Sequence, residues 1–358
     1  MAAETTLTPN AVSTTSTTDA SINTEECIND ILGTIERERE REIVSRRFGL
    51  FDRKETLEQI GELLGITRER VRQLEKSVVN RLKAAAEQGS VPRIPELQTK
   101  FLFELENLGS ISRVSSLTEK IGTDVSKLQQ ARVAFLAGLC PKLVVVNEDD
   151  HYHHAIGIKS KRDINAIKAD VTKLIDAVKA IGQPATIEEI AKAGTISNVD
   201  EAQSLTSISK HLATLNGRWG LVKWPMVNPK NIRDKIFVIL KEHGKHMHFN
   251  EIAGAIKDSE FKRKDVTTQA IHNELIKDKR FVLIGRGIYA LKEWGYEKGT
   301  VSDIISEVLK QEGGPLHRDE IVKRVLKSRY VKETTILLNL QGKTQFKRVA
   351  KATYSLAE

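Results

Sequence analysis

Thr67-Arg68-Glu69-Arg70-Val71-Arg72-Gln73-Leu74-Glu75 is the stretch from which the fold of this 358-residue chain is worked out. At about 100° per residue, Val71, Leu74, Val78 and Leu82 share one narrow stripe of a helix, and Arg68, Glu69, Arg72, Gln73 and Lys76 share the opposite side. Thr67 is a good N-cap, and Gly65 before it suits the positive-φ turn between two helices. From Thr67 to Lys83 there are six Lys or Arg against two Glu, a net +4. Arg, Gln and Glu also carry the planar donor and acceptor groups that match base edges in a major groove. A solvated surface helix is the plain alternative for such a charge run.

What precedes favours the first reading. Thr56 and Gln59 form a capping-box pair, and Leu57, Ile60, Leu63 and Leu64 supply an inward helical face. Gly65-Ile66 then makes the short turn of a helix-turn-helix. Arg39-Glu40, Ile43-Val44, Arg47-Phe48-Gly49-Leu50, Thr56 to Gly61 and Leu64 to Glu75 together resemble the fourth conserved region of bacterial housekeeping sigma factors, over about Glu36 to Ala86. The resemblance implies a helix that reads the upstream promoter hexamer, with Arg68, Glu69 and Gln73 on base edges. It puts Arg39, Arg47, Thr56, Leu57, Thr67, Arg70, Arg72 and Lys76 at backbone-contacting or supporting positions, Thr56 and Leu57 through amides at a helix start. It also implies a contact with RNA polymerase. The family has a basic residue two positions after Glu75; Ser77 stands there, with Lys76 beside it.

The length calls for several domains. Hydrophobic residues make up 40% of the chain but aromatics only 5%, so the cores must be small and aliphatic. A net charge of +8 favours nucleic acid or another polyanion as partner. Cys27 and Cys140 are too few and too distant for a disulfide framework or zinc site, which fits a reducing cytoplasm, and the sigma-factor resemblance implies a bacterial, nucleoid-associated protein. Neither a membrane span nor a signal peptide is expected.

Residues 1–24, rich in Thr, Ser and Ala, are expected to be a disordered tail. A leading helix with Ile28, Ile31, Leu32 and Ile35 opens a unit over 25–88, packs onto it, and is continued by the alternating charges of Glu36 to Glu42. Pro92 and Pro95 mark a linker. Beyond it the chain repeats. Ile232, Ile236, Leu240, Gly244, His248, Glu251 and Ile252 recur at one offset as Val301, Ile305, Leu309, Gly313, His317, Glu320 and Ile321. Later, Phe281 and Tyr289-Ala290-Leu291 match Phe346 and Tyr354-Ser355-Leu356. A fainter copy runs from Leu174 to Leu221.

Each copy reads as three helices and a hairpin, the winged-helix order, so tandem small domains are expected rather than one large fold. The boundaries are 94–158 for a divergent winged helix, 163–226 for the faint copy, and 228–295 and 300–358 for the clear ones. The last two resemble HARE-type helix-turn-helix modules, related to the amino-terminal domain of the polymerase delta subunit. That resemblance implies a role in transcription or DNA-modifying assemblies, in some cases as a protein-docking module. The expected fold class is mainly α with small β wings: a sigma region 4-like helix-turn-helix followed by tandem winged helices.

Arg286 at one wing tip, with Lys262-Arg263-Lys264 in the preceding loop, is a candidate phosphate contact; a solvated basic surface is the alternative. His151, His153 and His154 with Asp149 and Asp150 read as a polar hairpin tip rather than a metal site, since strand neighbours point to opposite faces. Gly342-Lys343-Thr344 lacks the layout of a phosphate-binding loop. No catalytic constellation, cofactor, metal or small-molecule substrate is expected. The expected function is sequence-specific binding of double-stranded, promoter-like DNA in bacterial transcription initiation or its regulation, without a promoter-melting region. The alternatives are a polymerase-associated scaffold, or a DNA-clamping accessory of modification, restriction or repair.

Overall fold

The computed structural model describes residues 22–122, 124–263, 265–296 and 298–357. The expected tail lies outside the described residues up to position 21; its last residue, Thr24, already belongs to a helix capped by Asn23. The fold is mainly helical with small antiparallel sheets. It divides into two compact units, one of residues up to Ala177 with Ile187–Lys210, the other of Val178–Thr186 with His211 onward.

The first unit opens with four helices, α1 (Thr24–Gly33), α2 (Glu38–Phe48), α3 (Leu57–Leu64) and α4 (Arg68–Glu87). The charged run Glu36 to Glu42 does not continue α1. That helix closes at Thr34, whose hydroxyl donates to the Ile31 carbonyl at 2.6 Å, and α2 starts afresh at Glu38. Next come α5 (Ile94–Asn107), β1 (Ile111–Arg113), α6 (Val114–Lys120), α7 (Lys127–Leu139), β2 (Leu143–Val146) and β3 (Ala155–Ile158). The strands form one antiparallel sheet in the order β1-β3-β2, with Ile111 opposite Gly157 and Leu143 opposite Ile158. β1 is not legible in the sequence: three residues between two helices are too few to show an alternation.

The leading helix packs along α7 as well as on the helix-turn-helix. Its Ile28, Ile31 and Leu32 join Val78, Leu82 and Ala86 of α4 and Phe101, Leu117 and Phe135 in one continuous apolar core. Arg132 of α7 is buried there with its charge provided for, as burial of a cation requires. It donates to the Leu50 carbonyl at 2.7 Å and pairs with Glu25 at 3.0 Å.

Helices α8 (Ile164–Ile181), α9 (Ile187–Ala193) and α10 (Val199–Ile208) follow, then the hairpin β4 (Leu212–Leu215) and β5 (Arg218–Leu221). The boundary between the units runs through this segment: its helices fall mainly in the first unit and its hairpin in the second.

Two further groups of elements complete the second unit. One is α11 (Ile232–His243), β6 (Met247–His248), α12 (Phe249–Asp258), α13 (Thr268–Lys277), β7 (Phe281–Gly285) and β8 (Ile288–Leu291). The other is α14 (Val301–Glu312), β9 (Leu316–His317), α15 (Arg318–Ser328), α16 (Glu333–Gly342), β10 (Phe346–Ala350) and β11 (Thr353–Leu356). The recurring sequence positions have matching places in both. Gly244 and Gly313 end the first helix with positive φ, and His248 and His317 N-cap the second helix. Both histidines also lie on a two-residue strand that pairs with the hairpin, giving the sheet orders β6-β8-β7 and β10-β11-β9. Each group has its own aliphatic core, around Ile236, Ile252 and Ile271 in one and Ile305, Ile321 and Ile336 in the other.

Candidate nucleic-acid interface

The helix-turn-helix is set by short-range devices. Thr56 Oγ1 accepts from the Gln59 amide at 3.3 Å and Gln59 Oε1 accepts from the Thr56 amide at 2.9 Å, so α3 starts on a reciprocal cap. Gly65 ends α3 in the left-handed region at φ 64°. Gly61 lets the turn close: a Cβ there would sit 2.7 Å from the Ile66 carbonyl oxygen. Thr67 Oγ1 then accepts from the Arg70 amide at 3.2 Å and starts α4.

Only Ile43, Ile60 and Val71 form the buried centre of this motif, with Leu57, Leu64, Ile66 and Leu74 half-buried around them. Leu63, expected on the inward face, is 55% exposed, because an eight-residue helix resting on so small a centre has room for one narrow stripe. Val71, Val78 and Leu82 are buried and Leu74 is half-buried, so the stripe faces inward along α4.

The opposite side of α4 is open. Arg68, Glu69, Arg70, Arg72, Gln73 and Lys76 are all exposed. Several of these groups engage one another: Arg72 pairs with Glu69 at 2.6 Å, Gln73 Nε2 donates to Glu69 at 3.4 Å, and Arg70 donates to Gln73 at 3.4 Å. Arg68 reaches back to Glu58 of α3 at 3.1 Å. The bond from Arg72 holds the Glu69 carboxyl below the usual carboxylate range, so Glu69 is an ionised acceptor. Such exposed pairs are worth little individually and exchange readily for other partners.

The remaining candidates divide. Arg39 is exposed and donates to the Leu64 carbonyl, satisfying the end of α3. Arg47 is half-buried, paired with Glu75 at 3.2 Å and donating to the Glu55 carbonyl at 3.3 Å, so it braces α2 against α4. The Thr56 amide is taken by its cap, while Leu57 heads the first turn of α3. Sequence reasoning missed Glu40, a buried carboxylate that accepts from Arg81 at 2.6 Å and from Arg37 at 3.5 Å. The readable signal is its spacing of three and four from the buried Ile43 and Val44, which puts a charge on the inward face.

In the second unit, Lys262, Arg263 and Arg286 are exposed, and Lys264 lies outside the described residues. The buried Lys235 ammonium donates to the carbonyls of Lys262 and Arg263 at 2.9 and 2.6 Å, fixing that loop, and Arg286 stands at the β7–β8 turn. At the β2–β3 tip, Asp149 accepts from the His151 and Tyr152 amides, both at 2.7 Å. No group of three or more metal-ligating side chains occurs among the described residues. Nor is any described helix long and apolar enough to cross a membrane.

Residues 37–84 match the family model of sigma-70, region 4. Over 55 residues, 15% of this chain, the sequence is 49% identical to RNA polymerase sigma factor sigB of Arabidopsis thaliana, of which the match covers 9%. Over 60 residues, 16% of this chain, it is 43% identical to RNA polymerase sigma factor SigA of a Bacillus species, of which the match covers 16%. The likeness thus spans well under two thirds of either relative. It marks residues 37–84 as a helix-turn-helix similar to sigma-70 region 4.

Proposed function

We propose that this chain is a sequence-specific DNA-binding protein of bacterial transcription initiation or its regulation, carrying a promoter-reading head on a row of winged-helix modules. The observation that carries the proposal is the exposed polar face of α4, opposite a buried apolar stripe, within the sigma-like segment. Arg68, Glu69 and Gln73 contact base edges in the major groove; Arg70, Arg72 and Lys76 lie toward the phosphates, and Thr67 and Leu57 bring helix starts near the backbone. Arg39 and Arg47 act from behind, holding α3 and α2 in place for α4. Glu69 and Arg72 release each other on binding, the carboxylate to a base amino group and the guanidinium to phosphate.

The partners are double-stranded, promoter-like DNA and RNA polymerase, in the cytoplasm at the nucleoid. We read the modules of residues 228–295 and 300–358 as HARE-type. The test is genome-wide mapping of bound sites with a polymerase pull-down. Enrichment at promoters together with polymerase is the expected result. Absence of both would reject the transcription role.

A further inference from the structure

The four β-hairpins among the described residues differ in charge. Between Leu143 and Ile158 there is no Lys or Arg, and the tip carries Glu148, Asp149 and Asp150. The hairpin from Leu212 to Leu221 has Arg218 alone, and that from Phe281 to Leu291 has Arg286 alone. The last, Phe346 to Leu356, carries Lys347, Arg348 and Lys351 with no acid. The bias extends beyond it: residues 321–357 hold nine Lys or Arg and one Glu, a net +8 that equals the formal charge of the whole chain.

Not all of that charge is available. Arg324 is paired with Glu312 at 2.8 Å and with Glu320 at 2.9 Å, and Arg329 donates to backbone carbonyls. Lys347, Arg348 and Lys351 are different. All three are exposed, and no ion pair joins them to a carboxylate among the described residues. Arg348 Nε donates to the Ala350 carbonyl at 3.2 Å, which orders the guanidinium without neutralising it.

The strand itself projects. A strand lying on a core buries every second residue. In β10 only Phe346 is buried, and Lys347, Arg348, Val349 and Ala350 are exposed in succession, Val349 at 47%. β10 is also the edge of its sheet, with a register shift between Arg348 and Ala350 and a positive φ at Ala352. The hairpin therefore presents three unneutralised cations clear of its module.

We infer that the β10–β11 hairpin is a second, sequence-independent contact with duplex DNA, its Lys347, Arg348 and Lys351 lying on the phosphate backbone. A phosphodiester backbone offers closely and regularly spaced anions that suit cations on a projecting edge strand, and each neutralised phosphate releases condensed counterions. The choice of duplex DNA over another polyanion rests on the promoter-reading proposal for α4. The hairpin adds affinity and the α4 head adds selectivity.

The test compares the full-length protein with a Lys347→Ala, Arg348→Ala, Lys351→Ala variant on a random-sequence duplex over a salt series. Removing three phosphate contacts makes the slope of log affinity against log salt shallower by about 2.7. Between about 50 and 200 mM salt the parent protein should then lose roughly 40-fold more affinity than the variant. The three side chains are exposed, so the variant should melt with the parent; a Gln triple variant, which keeps the side-chain bulk, must reproduce its slope. Arg68→Ala with Gln73→Ala, run beside them, should lower selectivity and leave the salt slope on random DNA nearly intact. If that head variant loses no selectivity while the hairpin variant still flattens the slope, the hairpin contact stands and the reading of α4 falls. An unchanged slope in the hairpin variants overturns the contact. So does binding that depends on these residues only with phosphatidylserine vesicles or poly-glutamate.

Discussion

Helix α4 takes part in two cores of very different size. Its first half contributes Val71 to a centre that otherwise holds only Ile43 and Ile60. Its second half contributes Val78, Leu82 and Ala86 to the large core shared by α1, α5, α6 and α7. The face with Arg68, Glu69 and Gln73 is on the first half. The proposed reading surface therefore rests on the smaller support and depends on a cap, two glycines and ion pairs, while the rest of α4 is anchored deeply. A head placed this way can be altered locally without losing its base.

The largest expected effects test that asymmetry. Phe101→Ala in the large core should cost about 3–5 kcal/mol and unfold the first unit as a whole. Ile60→Ala should cost about 2–5 kcal/mol but act mainly on the head. Hydrogen exchange reads the difference: in Ile60→Ala, amides of α3 and the start of α4 should lose protection while those of α5 and α7 keep theirs. Equal loss across the unit would merge the two cores into one cooperative element.

Gly61→Ala sharpens the comparison at the turn. The added Cβ would press against backbone at 2.7 Å, which cannot rotate away, so about 1–3 kcal/mol is expected, again confined to the head. Gly65→Ala meets no atom within 4 Å and is strained only through its φ of 64°. Thermal melts should therefore rank Gly61→Ala below Gly65→Ala.

The smallest effect is a pH dependence at the β2–β3 connection. Burial holds His153 and His154 below the ordinary histidine range, with Arg113 and Lys210 adding to the first and Lys54 to the second. The folded chain thus binds fewer protons at these sites than the unfolded chain. Their stabilising contribution is complete above the ordinary value of about 6.5 and is lost as pH falls toward the depressed folded values. His153→Gln with His154→Gln should flatten the decline of melting temperature below that point; an unchanged profile would assign the decline to other groups.

Much of the head was legible because its determinants are local. Thr56 with Gln59, Gly65, Thr67 and the stripe from Val71 to Leu82 each act within a few residues, where spacing and residue type suffice. The repeated Gly, His and Glu positions of residues 228–358 were legible for the same reason. What escaped is non-local. That Leu63 faces solvent, that α1 lies along α7, that Arg39 caps the end of α3, and that Glu40 meets Arg81 all depend on how helices meet in space. β1 escaped because its partner β3 comes more than forty residues later in the chain.

The central claim is that Arg68 and Gln73 discriminate bases. It is tested most directly by affinity for a selected duplex against a random one, in the parent protein and in Arg68→Ala and Gln73→Ala separately. Each variant should lose about 1–3 kcal/mol of discrimination while its affinity for random DNA stays nearly unchanged. Equal loss on both duplexes would contradict it and leave α4 as a phosphate-binding surface.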